Sequence, residues 1–86
     1  MRKVVNVQPL EDYRILAEFD TGEKRIADIK PLLKKPVFSF LSDRTLFDRV
    51  YLQFGAVTWK DLSGDEVDIC SDKLFSDSIP IAEFDM

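Results

Sequence analysis

Sixteen carboxylates, twelve lysines and arginines, one cysteine and no histidine are the side chains with which this chain could do chemistry. Histidine is the usual general base near neutral pH and the commonest metal ligand. Its absence removes Ser-His-Asp and Cys-His nucleophile systems and most zinc sites. Paired carboxylates, a lysine Schiff base or a Ser–Lys pair stay open in principle, yet no spacing in the chain outlines one. Cys70, next to Ile69 and with no evident cationic partner, reads as a small core residue or an ordinary thiol rather than a nucleophile.

The acidic stretch Asp61-Leu-Ser-Gly-Asp-Glu-Val-Asp68 raises the question of a hard cation, because Ca²⁺ and Mg²⁺ take carboxylate oxygens. An EF-hand loop needs oxygens at alternating positions, a central Gly and a Glu at its end, and the stretch fails that template as a whole. Asp and Gly also favour turns through their own backbone geometry, so a turn is expected and no metal. Gly22, Gly55 and Gly64 stand in separate turns and cannot build a GxGxxG or Walker A loop. No cofactor is expected, and the chain is not expected to be an enzyme.

Arg25, Lys30, Lys34 and Lys35, extended by Arg44 and Arg49, outline a candidate partner-binding basic patch. Such a patch can receive the protein's own acidic end, a neighbouring subunit or a partner. Nucleic-acid binding needs a basic domain, and the net charge of −4 argues against it for this chain alone. Residues 1–60 hold 11 basic and 8 acidic side chains (+3), whereas residues 61–86 hold 1 and 8 (−7). The acidic end either faces a basic partner or simply keeps turns and tail solvated. Trp59 shares a face with Val57 and is assigned to the core rather than to an interface.

Two strand–turn–strand units must position these groups: Leu16 to Ile29 around Gly22, and Ala56 to Ile69 around Gly64. Tyr13, Ile15, Ala17 and Phe19 alternate with Arg14, Leu16, Glu18 and Asp20, which predicts a strand with one buried face. Asp20-Thr21-Gly22-Glu23 supplies its turn, and Lys24 to Ile29 the return strand. Val4 to Val7 forms an earlier strand ended by Pro9. Pro31 to Pro36 reads as a short turn or one helical turn, and Ser42 to Thr45 offers N-caps for a short helix through Arg49. A strand follows at Val50 to Phe54, then Gly55-Ala56 as a type II′ hairpin turn. Ser71 to Ser76 reads as a brief capped helix that lends Leu74 and Phe75 to the core. The sum is an α+β fold: a small, mostly antiparallel sheet built from hairpins with two or three short helices. It divides into one compact domain over residues 1–78 and an acidic tail over 79–86 that is either an edge strand or mobile.

At 86 residues and 45% apolar composition the chain suits a single domain with a modest core. One cysteine, no signal-peptide stretch and no apolar run near the ~18 residues of a membrane span point to a reduced, cytoplasmic setting without a membrane. Edge strands in so small a sheet invite pairing, so a homodimer is a further expectation.

Phe19-Asp20-Thr21-Gly22-Glu23-Lys24-Arg25, then Asp28-Ile29, the series Phe38…Leu41…Phe47…Val50, and Trp59…Asp68-Ile69…Asp72-Lys73-Leu74-Phe75 follow one another in a characteristic order. In order and spacing they resemble the bacterial family catalogued as Domain of Unknown Function 2442, from about Val4 to Ser76. The resemblance implies a small α+β domain, found alone or joined to a helix-turn-helix domain. It also implies genes placed beside small toxin-like proteins, and hence a regulatory or antitoxin-like role. It brings no catalytic residues with it. The expected function is therefore a non-enzymatic protein-interaction or regulatory (antitoxin-like) module with a toxin-like protein as partner. The alternative is a small-ligand binder or a carboxylate-based enzyme with its site at a subunit boundary.

Overall fold

Period-two alternation around Gly22 produces the expected hairpin: β2 (Arg14–Phe19) pairs antiparallel with β3 (Lys24–Asp28). Ile15, Ala17 and Phe19 are buried to 1% exposure or less, while Arg14, Leu16 and Glu18 are half-exposed on the other face. Gly22 takes φ +88° with open space around its α-carbon, the left-handed geometry that a side chain disfavours. The computed structural model describes residues 2–84; Asp85 and Met86, at the end of the expected acidic tail, lie outside the described residues.

β1 (Val4–Pro9) adds to the free edge of β2, and β7 (Ile79–Pro80) to that of β3, giving a four-stranded sheet in the order β1-β2-β3-β7. The second sheet runs β4 (Tyr51–Gln53), β5 (Ala56–Lys60), β6 (Glu66–Ile69), again antiparallel. Three short helices complete the α+β fold: α1 (Arg44–Phe47), α2 (Ser71–Asp77) and α3 (Ile81–Phe84). Consecutive 3-10 segments, Lys30–Lys34 and Pro36–Ser42, carry the chain from the first sheet to α1, with Pro31 second in the one and Pro36 first in the other, positions where a missing N–H costs no helical bond. Asp43 caps α1 by accepting the Thr45 N–H at 3.0 Å. No helix among the described residues is long and apolar enough to cross a membrane.

The core sits where the sheets meet. Trp59 is fully buried and stacks on Phe47 at 6.0 Å, its indole N–H donating to the Phe47 carbonyl at 3.0 Å. Tyr13 meets Phe47 edge-on at 5.2 Å. That hydrogen bond satisfies the one polar side-chain atom of Trp59 within the core, so its assignment to the core holds. Asp12 and Tyr13 both have positive φ (61° and 57°), a strain that persists only where tertiary contacts fix it. Those contacts are the Phe47 ring, the Arg44 guanidinium 5.5 Å from the Tyr13 ring centre, and the Tyr13 hydroxyl donating to the Ser42 carbonyl.

Three local expectations are corrected. The β4–β5 turn is not a type II′ turn on Gly55-Ala56. Gln53 pairs with Ala56, so Phe54 and Gly55 form the loop, with φ of 52° and 78° as in a type I′ turn. Of the two readings of Cys70, exposure excludes the core residue and leaves the ordinary thiol, since alternation continued past β6 turns it away from buried Ile69. The N-cap position of α2 is Cys70, which makes no side-chain cap, and the Ser71 hydroxyl donates to the Gly55 carbonyl at 2.8 Å.

Candidate functional site

α2 separates two different flanks of the junction between the sheets. At about 100° per residue, Asp72 and Phe75 project to one side of the helix, Lys73 and Asp77 to the other, and Leu74 inward. Leu74 is 3% exposed and joins the core.

The Asp72–Phe75 flank is closed by cations. The Phe75 ring packs edge-on against Phe19 at 5.3 Å and carries two guanidiniums, Arg2 at 4.0 Å and Arg25 at 4.1 Å from its centre. Arg2 also lies 3.4 Å from the Asp72 carboxylate. Arg25 donates to both the hydroxyl and the carbonyl of Ser78 at 2.7 Å and pairs with Glu23. On the same side, the Val4 N–H donates to the Gly55 carbonyl at 2.8 Å, as the Ser71 hydroxyl does. β1, the β4–β5 turn and α2 are thereby tied at one atom. Arg25 retains only 11% side-chain exposure.

The Lys73–Asp77 flank stays open as a groove of about 450 Å³. One wall is the end of β3 and the following 3-10 segment; the other is the end of β6 and α2. Ile29, Leu32, Phe38 and Ile69 line its floor, and Asp28, Lys35, Asp68 and Lys73 its rim, with the Cys70 thiol between β6 and α2. Two rim carboxylates already face cations, Asp77 with Lys73 at 3.0 Å and Asp28 with Lys30 at 3.9 Å. Such exposed pairs contribute little to stability, typically about 0–1 kcal/mol. An apolar floor with charges of both signs around it suits a side chain or short segment carried by another molecule better than it suits proton transfer.

The predicted basic patch is divided. Lys30 and Lys34 begin and end one 3-10 segment with Lys35 just after it, and of these Lys35 lines the groove. Arg25 is committed to Ser78, Glu23 and Phe75, and Arg44 donates to Asp48 at 2.8 Å and to the Leu10 carbonyl. Arg49 lines a separate shallow depression with Tyr51, Lys60 and Glu66. There the Tyr51 hydroxyl donates to Glu66 at 2.8 Å, and that carboxylate, through the hydrogen bond first, raises the phenol above its ordinary value of 10.0.

Asp61 accepts the N–H groups of Ser63 at 2.9 Å and Asp65 at 3.0 Å, so the acidic stretch is organised as a turn on its own backbone. Among the described residues no three Asp, Glu, Cys or His side chains gather as a metal ion would require. Sequence reading missed Asp28, Lys73 and Asp77 as members of a common site. A signal existed in the Lys73–Asp77 spacing of four beside apolar Leu74, which marks an amphipathic turn, but its opposite wall comes from residues more than 35 positions earlier.

No curated protein and no solved structure matches the chain. The model of one family spans residues 4–80, reaching past the quoted motifs to include β7, and on that match the chain belongs to the family described as protein of unknown function, DUF2442.

Proposed function

We propose that this domain is a non-enzymatic protein-interaction module whose partner docks in the groove between the sheets. The observation that carries the reading is the contrast across α2: one flank is sealed by Arg2 and Arg25, while the other leaves an apolar floor inside a charged rim. Contact surfaces combine such apolar centres with polar rims. The acidic end of the chain and the expectation attached to the family favour a regulatory, antitoxin-like role in the cytoplasm, with a small toxin-like protein as partner.

Affinity capture from the native host tests the reading with the wild-type chain and with the double variant Lys35→Glu/Lys73→Glu. The expected result is a stoichiometric protein partner with the wild type and at least a tenfold loss with the variant, the scale on which unpaired like charges act at contact surfaces. Recovery of the chain alone under low-salt conditions, or equal capture by both forms, overturns it.

The groove volume of about 450 Å³ favours a second reading, since small-molecule sites span roughly 300–1,000 Å³. In that reading Lys35 and Lys73 hold an anionic ligand above the apolar floor. Thermal-shift screening of carboxylate- and phosphate-bearing metabolites tests it. Stabilisation that disappears in the double variant supports it, and the absence of any hit rejects it.

A further inference from the structure

β6 is the last strand of its sheet, and its end forms part of one wall of the groove. The register of the β5–β6 hairpin shows which of its backbone groups face outward. The Asp61 N–H donates to the Asp65 carbonyl at 2.9 Å, so that pair closes the hairpin as a bonded one. Bonded and non-bonded pairs alternate along antiparallel strands. Trp59–Val67 and Val57–Ile69 therefore exchange bonds, whereas Glu66 and Asp68, opposite Lys60 and Thr58, turn their N–H and C=O away from β5. The β4–β5 turn gives the same answer. Gln53 and Ala56 close a two-residue loop, which aims the backbone groups of Thr58 at β4 and those of its neighbours at β6.

No other described residue bonds to the outward N–H and C=O groups of Glu66 and Asp68. Asp68, Ile69 and Cys70 line the groove, so open space lies beside this end of the strand. An unpaired edge without Pro, Lys or a bulge is a template for another strand. Period-two alternation then fixes where an added strand would send its side chains. Those level with Val67 and Ile69 point towards the apolar floor. Those level with Glu66 and Asp68 stand on the outer face, beside two exposed acidic residues.

The two carboxylates decide the occupant. Antiparallel pairing with the β6 of a second copy, centred on Val67, would set Glu66 against Asp68 twice, and like charges directly opposite destabilise a sheet. Basic side chains at those positions are favoured instead. Glu66 already accepts from Tyr51 at 2.8 Å and from Gln53 at 3.4 Å, whereas no described donor reaches the Asp68 carboxylate, which makes Asp68 the stronger selector. We infer that the groove takes its partner protein as an extended segment, added antiparallel to β6, in which apolar residues alternate with lysine or arginine. Main-chain bonds to Glu66 and Asp68 hold the segment, the floor takes its apolar side chains and the two carboxylates its basic ones. The inference rests on the groove reading and gives the form of the ligand. Lys35 and Lys73 are left to an acidic group elsewhere on the same partner.

Titration of the isotope-labelled full chain with the peptide acetyl-Lys-Val-Lys-Val-Lys-Val-amide tests it, read by amide spectra and hydrogen exchange. At saturation, exchange at the Glu66 and Asp68 amides is expected to slow by about tenfold or more. The peptide with Glu for every Lys, and the peptide N-methylated at alternate residues, are each expected to bind about tenfold more weakly or worse. Asp68→Lys should reverse the preference between the Lys and Glu peptides, with circular dichroism as the check on folding, and the milder Asp68→Asn should narrow it. No binding, binding without slowed exchange at Glu66 and Asp68, equal affinity for the two peptides, or a preference that neither variant moves overturns the inference. Slowed exchange there that grows with protein concentration in the absence of peptide also overturns it, because the occupant is then a second copy. The groove reading is tested separately by capture with Lys35→Glu/Lys73→Glu. A partner lost in that variant, yet bound by the wild type without protecting Glu66 and Asp68, keeps the groove and rejects the added strand.

Discussion

The two flanks of α2 present the same helix to the same two sheets and end in opposite states. On the Phe75 side, two guanidiniums, a buried serine and a shared backbone carbonyl close the junction. On the Lys73 side, a comparable stretch is left as a groove whose cations hold nothing essential in place. The difference lies in side-chain commitment. A cation that lies over an aromatic ring or donates to buried acceptors is part of the fold, whereas one at the rim of an apolar floor stays available to another molecule.

Substitutions on the closed flank are expected to have the largest effects on stability. Arg25→Ala removes two charge-assisted bonds to Ser78, which is 7% exposed, and one ring contact, and is expected to cost about 2–4 kcal/mol in urea denaturation. A cost below about 0.5 kcal/mol would erase the distinction between the flanks. Gly55→Ala comes next: φ is +78° and a new Cβ would sit 3.0 Å from the Lys3 side chain, for about 1–2 kcal/mol. Gly22→Ala, with open space at φ +88°, should cost less, about 1 kcal/mol, so the two alanine variants compare a tied turn with a free one.

On the open flank, Lys35→Glu/Lys73→Glu exchanges one exposed i,i+4 pair for a repulsion and should change stability by no more than about 1 kcal/mol, a few degrees in melting temperature for a domain of this size. The smallest expected effect lies away from both flanks. Hydrogen bonding to Glu66 raises the Tyr51 phenol in the folded state, so its contribution to stability is fully present below the unfolded phenol's range. That contribution fades as pH rises through the raised folded value. Ultraviolet titration of the phenolate should show Glu66→Gln moving the midpoint downward.

What could be read from the sequence was whatever is decided locally. Alternation through Ile15, Ala17 and Phe19, the left-handed position of Gly22 and the Asp43 cap each depend on neighbours within four residues, and each is found. The Phe54–Gly55 turn could not be read in this way. Phenylalanine at φ 52° runs against its own preference, and bonds to the Gly55 carbonyl from Val4 and Ser71, both distant in sequence, accompany that geometry. Division of the strands between two sheets and the groove beside α2 are likewise products of contacts between residues dozens of positions apart. Cys70 is different, since alternation past Val67 and Ile69 already placed it outward. Arg25 shows the converse limit: its charge was visible in sequence, but not that the fold would use it.

Site-directed photo-crosslinking in the native host tests the central claim most directly, with a benzophenone side chain placed at Lys35 on the open flank or at Asp72 on the closed one. The account predicts one discrete protein adduct from position 35 and none from position 72. No adduct at position 35, or the same adduct from both positions, would contradict it.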